Sequence, residues 1–138
     1  MTDHVTPDTN NAINVASLFD LTGKTALVTG GSRGIGKMIA EGYLQAGATV
    51  YISSRKAEVC DQVAAELSAI GSCHSLPADV ASDDDRSRLV AALGASTDRL
   101  DILVNNAGAA WGADYADFPP SGFRKVLELN VTALFFLT

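Results

Sequence analysis

A chain of 138 residues, 47% hydrophobic and 19% charged, is long enough for one domain with a core and too apolar for disorder. Its net charge of −6 argues against nucleic acid or an anionic membrane as a partner, because both call for a basic surface. Two cysteines, Cys60 and Cys73, make no disulfide framework and suit a reducing compartment; with His74 they lack the spacing of a metal site and read as small packed side chains.

Residues 1–18 are polar, with Asp3, Asp8 and Asn10-Asn11, and read as a flexible leader rather than a signal peptide. Residues 19–138 then alternate strand-like and helix-like periodicity, the mark of a parallel sheet with helices on its faces. Residues 25–29 predict the first strand and 34–45 the first helix, with Gly47 closing it. Residues 49–53 predict a second strand and 56–69 a second helix, with Cys60, Val63, Ala64, Leu67 and Ile70 at helical spacing. Residues 74–78 predict a third strand. Ser82 then caps a helix whose first turn holds Asp83, Asp84 and Asp85. Three acids in a row suggest a metal cluster, yet carboxylates at a helix N-terminus are stabilised by its dipole, and that reading is preferred. Residues 100–104 predict a central strand, 105–118 a loop, and Pro119-Pro120-Ser121 the start of a last helix that runs to Thr138. The apolar run 131–137 is far too short to span a bilayer. A cytoplasmic location is expected.

The richest segment is Thr29-Gly30-Gly31-Ser32-Arg33-Gly34-Ile35-Gly36. A buried-type strand enters a glycine turn that opens straight into a helix, so free N–H groups and the positive dipole end meet at one point suited to a phosphate. Gly30 permits the turn, Gly34 allows close approach to a pyrophosphate, and Gly36 lets the helix pack against its strand. The spacing is not the common G-x-G-x-x-G. A P-loop is nearly present from Gly31 to Lys37, but Met38 stands where the Mg²⁺-binding hydroxyl belongs. A glycine turn with no ligand is the competing reading.

The tip of the second strand selects the dinucleotide. An acid there holds an adenosine 2′-OH, and this chain has Ser53-Ser54-Arg55 instead. Arg55, with Arg33 in the glycine turn, can take a 2′-phosphate, which favours NADP(H) over NAD(H). Both arginines as solvated surface charges is the alternative.

The pattern T-G-x-x-x-G-x-G resembles the short-chain dehydrogenase/reductase family, and the resemblance runs from about Leu21 to the last residue. Residues 29–36 look like its cofactor loop, Asp79-Val80 like its adenine contact, and Asn105-Asn106-Ala107-Gly108 like its fourth-strand motif. Asn130 looks like its active-site asparagine. The wording of residues 30–36 and 105–112, with Trp111-Gly112-Ala113, is most similar to bacterial 3-oxoacyl-acyl-carrier-protein reductases of the rhamnolipid-pathway type. The resemblance implies a doubly wound, Rossmann-type α/β sheet. Its cofactor-binding set is Gly30, Gly31, Ser32, Arg33, Gly34, Ile35, Gly36, Arg55, Asp79, Val80, Asn106, Ala107 and Gly108. Asp79 has a plain turn role as its alternative, Asn105-Asn106 the locking of neighbouring strands, and Asn130 hydrogen bonding inside its helix. Trp111 and Phe118 read as a substrate entrance or as packing.

Family members transfer hydride with a tyrosine as acid/base, a nearby lysine, a serine at the substrate oxygen and an asparagine that holds a water. Here the residues four places beyond Tyr43, Tyr51 and Tyr115 are Gly47, Arg55 and Pro119, so no Tyr-x-x-x-Lys occurs. The expectation is therefore the N-terminal half of a longer, homo-oligomeric NADP(H)-dependent reductase: about four strands, the C-terminal strands missing, inactive alone. On that expectation strand four is a bare apolar edge and the last helix exposes Leu134, Phe135 and Phe136. The substrate is a small carbonyl or alcohol, a 3-oxoacyl thioester on acyl-carrier protein leading. The alternative is a non-catalytic nucleotide-binding module.

Overall fold

The computed structural model describes residues 14–138. Four strands, β1 (Thr25–Thr29), β2 (Thr49–Ser53), β3 (Cys73–Ser75) and β4 (Ile102–Val104), form one sheet in the order β3-β2-β1-β4, every pairing parallel. Thr25 pairs with Thr49 and Ala26 with Ile102, so β1 is the central strand shared by both sides. The chain grows leftward from β1 through β2 to β3 and then jumps across to β4. The strand order therefore reverses between β1 and β4.

Alternation along the strands sorts the core into two layers. Ala26, Val28, Val50 and Ile52 point to one face and are covered by α2 (Gly34–Gln45) and α3 (Ala57–Leu67) through Ala40, Leu44, Cys60, Val63 and Leu67. Leu27, Tyr51 and Leu103 point to the other, under α4 (Asp83–Ser96) and the last helical stretch through Leu89, Leu93, Ala133 and Leu137. Strands buried on both faces read as continuous apolar runs, which is why β1 and β2 were legible end to end.

The remaining elements depart from the sequence expectations in small ways. Of the expected leader, residues 1–13 lie outside the described residues, and Val15–Leu18 form one exposed helical turn, α1, capped by the Asn14 side chain. The helix α3 stops at Leu67, so Ile70 falls in the following turn and is exposed rather than on the buried stripe. The strand β3 ends at Ser75, and single bonds from Leu76 to Ile52 and Ala78 to Ser54 continue the pairing past it, with Pro77 between them on the side away from β2. Asp101 stays outside β4. Its carboxylate accepts the Thr25 N–H at 2.9 Å and meets Arg99 at 2.7 Å, which holds it below the usual carboxylate pKa. The 105–118 loop contains a 3₁₀ turn, Tyr115–Asp117.

The last helix is not uniform. Pro119 and Pro120 set its start, α5 runs over Pro120–Leu127, a π turn follows at Glu128–Thr132, and α6 covers Ala133–Leu137. Phe135 and Phe136 are 73% and 67% exposed, and β4 is half-buried throughout as an edge strand.

Candidate functional site

A cleft of about 630 Å³ opens at the carboxyl ends of β1, β2 and β4, where the strand order reverses. Open α/β sheets bind ligands at that place. Gly30, at φ +66°, turns the chain out of β1. An added Cβ on Gly36 would sit 2.3 Å from the Gly30 carbonyl and 2.5 Å from Asn106 Nδ2, so the first turn of α2 lies directly on the loop. Arg33, the N-cap residue, gives no side-chain cap, so the leading amides of α2 are left for a ligand. Gly34 faces open space, with room for a group at that point.

The expected cofactor set assembles with one exception. Gly30, Ser32, Arg33, Gly34, Ile35, Gly36, Arg55, Asp79, Val80, Asn106, Ala107 and Gly108 all line the cleft. Gly31 does not. It is buried behind the turn, its N–H bonded to the Ser53 carbonyl and its Cα so close to Ile52 that a Cβ would come within 2.8 Å. Its smallness serves the packing of the turn on β2.

Sequence reasoning missed several lining residues. Ser53, Ser54 and Ser75 carry buried hydroxyl oxygens with no partner among the described residues, and the first two belong to residues that line the cleft beside Arg55. Lys56, the uncapped N-cap of α3, adds a third cation. Val59 and Leu129 supply apolar wall. The segment Ser53-Ser54-Arg55 was in view, but no periodicity marks a hydroxyl as buried.

Thr29 was read as the end of β1 and the first residue of the cofactor loop, with no role for its hydroxyl, yet that hydroxyl joins the two sides of the cleft. It donates to the Val104 carbonyl at 3.1 Å and accepts from the N–H groups of Asn106 and Ala107, both at 3.0 Å. Asn106 Nδ2 returns bonds to the carbonyls of Thr29 (2.9 Å) and Gly30 (3.3 Å). Of the two readings of Asn106, locking of neighbouring strands is realised, and the residue lines the cleft as well. Asn105 bonds to Thr138 Oγ1 instead.

Asp79 has the turn role, its Oδ1 accepting from Ala81 N–H at 3.1 Å, and also borders the cleft. The acids 83–85 act at the helix start: Ser82 Oγ accepts from Asp85 N–H, and Asp85 accepts from Asp79 N–H at 2.9 Å. That backbone bond and Arg88 hold the Asp85 carboxyl below its ordinary pKa.

Asn130 lies in the π turn, outside the cleft wall, and its side chain bonds to the loop after β4 rather than within its own helix. Its Oδ1 accepts from Ala109 N–H at 2.8 Å and its Nδ2 donates to Ala109 O at 2.9 Å. Both polar ends meet the loop after β4 and tie it to the π turn. Trp111 packs over Gly122, with the Lys125 ammonium 5.7 Å from its ring, and so ties the same loop to α5. Tyr51 is buried, and Tyr43 packs against the core.

A parallel sheet with an uncapped glycine-rich helix start at its switch point defines a Rossmann-type dinucleotide-binding domain. The sequence pattern of the short chain dehydrogenase family matches residues 24–138, and the chain belongs to that family. It is 56% identical over 117 residues to the rhamnolipids biosynthesis 3-oxoacyl-[acyl-carrier-protein] reductase of Pseudomonas aeruginosa, covering 85% of this chain and 46% of that protein. The 7alpha-hydroxysteroid dehydrogenase of Escherichia coli is 37% identical over 119 residues, 86% and 46% of the two chains. Among solved structures, the Pseudomonas aeruginosa RhlG/NADP active-site complex superposes with a TM-score of 0.84 at 55% identity, covering 86% of this chain and 46% of that one. A 3-oxoacyl (acyl-carrier-protein) reductase from Agrobacterium tumefaciens with NADP bound gives 0.83 at 32% identity, over 94% and 50%. The chain thus spans about half the length of the curated relatives it matches. Among the described residues no helix is long and apolar enough to cross a membrane.

Proposed function

We propose that residues 19–138 are the cofactor-binding part of an NADP(H)-dependent carbonyl reductase, with a 3-oxoacyl thioester as the leading substrate class. The observation that carries the reading is the tip of β2: two orphaned serine hydroxyls beside Arg55, Arg33 across the cleft, and no carboxylate at that strand end. A 2′-phosphate would take those donors, whereas a carboxylate would repel it. The two solved structures with NADP described above and the Pseudomonas aeruginosa reductase support the same reading.

The residues divide the work by position along the cleft. The α2 amides at Gly34–Gly36 face a pyrophosphate, Asp79 and Val80 the adenine, and Asn106, Ala107 and Gly108 the ribose and nicotinamide. Asn130 acts by fixing Ala109 in the loop that borders the reacting end. A nicotinamide bound here supplies a hydride; an alkoxide-like charge on the substrate then calls for an acid. None of the three tyrosines is placed for that task. The acid, its lysine and the serine belong, on this proposal, to residues beyond 138, and the 1–138 chain alone turns nothing over.

The test is reduction of 3-oxoacyl-acyl-carrier-protein thioesters and simple ketones by the full-length protein. Consumption of NADPH well above that of NADH is expected, with none by 1–138 alone. No carbonyl reduction by the full-length protein, or turnover by 1–138, overturns the proposal. A stop codon at position 139 with nucleotide binding and no turnover favours the non-catalytic module.

A further inference from the structure

The first turn of α4 carries a buried charge that the cleft itself does not use. Arg86 is only 6% exposed. Its guanidinium donates to the Val80 carbonyl at 2.6 Å, pairs with the Asp83 carboxylate and lies 5.7 Å from the centre of the Phe136 ring. A guanidinium in such a place is costly unless its bonds serve something, and an apolar side chain would fill this position against Leu89 without that cost. The residue before it, Asp85, accepts the Asp79 N–H at 2.9 Å. Two consecutive residues of one helical turn thus grip the two ends of the dipeptide Asp79-Val80, one at its N–H and the other at its C=O.

That dipeptide is cleft wall, and Arg86 and Asp85 are not. The Asp79 side chain has one oxygen on Ala81 N–H, and its other oxygen takes no partner among the described residues. It is left as an acceptor whose direction depends on how the two peptide planes are held. We propose that Arg86, with Asp85, is a positioning residue that orients Asp79-Val80 for the adenine end of the cofactor. The inference rests on the proposed reading of that dipeptide as the adenine contact.

The test uses the full-length protein and its Arg86→Met, Arg86→Lys and Asp85→Asn variants. Binding is measured to 2′,5′-ADP, which is the adenine half of NADP, and to reduced nicotinamide mononucleotide, which is the other half. For Arg86→Met the expected result is about tenfold weaker 2′,5′-ADP binding, the loss of one charge-assisted bond. The KM for NADPH should rise by a similar factor, with kcat at saturation and nicotinamide-half binding unchanged. Arg86→Lys, which keeps a donor for the Val80 carbonyl, should recover most of the loss. Asp85→Asn should show the same split more weakly, and it carries the test if Arg86→Met does not fold. Equal weakening of both halves, or no change in 2′,5′-ADP binding, overturns the proposal. A wild-type protein that fails to bind 2′,5′-ADP overturns instead the cofactor reading beneath it.

Discussion

Single residues decide how closely the loop, the helix and the strands can approach one another. Gly36 is the sharpest case, since a methyl there meets the Gly30 carbonyl and the Asn106 amide together. Gly36→Ala should cost about 1–3 kcal/mol in urea unfolding and should weaken nucleotide binding as the loop shifts outward. Cys73 gives a different reading of burial. Desolvation, with Cys60 nearby, pushes its thiol up to about 11. The folded state therefore favours the neutral thiol, a contribution present below pH 9 and lost as pH rises towards 11. At pH 8 iodoacetamide should modify Cys73 about a hundredfold more slowly in the folded protein than in urea, in proportion to its thiolate. The jobs of Gly30 and Gly36 were legible from spacing alone, because a tight turn into a helix has few solutions. Arg86 was not legible: next to three acids at a helix start, a charge reads as solvated, and only the fold shows it turned inward.

At the level of elements, β1 and β4 are held at the cleft by the Thr29 hydroxyl together with the Asn106 amide. Thr29→Val keeps the shape but leaves the part-buried Ala107 N–H without its acceptor, while the Asn106 N–H keeps the Val104 carbonyl, at about 1–3 kcal/mol before relaxation. The expected outcome is a lower urea midpoint together with faster amide exchange at Ala107, read by hydrogen–deuterium exchange. Protection unchanged at that amide would contradict the latch. The ends of β1, β2 and α2 match the pattern in the sequence because glycines and apolar runs bound them. The shorter β3, the late start of β4 and the π turn around Asn130 do not. The last two follow from tertiary bonds (Asp101 drawn to Thr25, Asn130 drawn to Ala109) that periodicity does not encode.

For the molecule as a whole, the order β3-β2-β1-β4 places every expected cofactor residue but Gly31 around one cleft. Its acid sensitivity follows from carboxylates that join distant segments. Asp101 ties the start of β1 to β4, and Asp85 ties α4 to the cleft wall at Asp79; main-chain N–H bonds hold both below their ordinary pKa. A lowered pKa contributes stability that is present above the unfolded value and lost as pH falls through the folded one. Unfolding free energy should thus decline below about pH 4, and Asp101→Asn should flatten that decline. An unaltered acid limb in that variant would contradict the assignment.

The central claim is that the tip of β2 and the glycine turn together receive a 2′-phosphorylated dinucleotide. Calorimetric titration of the full-length protein with NADP⁺ and NAD⁺, beside its Arg33→Ala/Arg55→Ala variant, tests it most directly. The account predicts at least about tenfold tighter binding of NADP⁺ by the wild type, consistent with charge-assisted contacts to the extra phosphate, and a variant in which that gap closes while NAD⁺ affinity is kept. Equal affinities in the wild type, or a preference that survives the loss of both arginines, would contradict it.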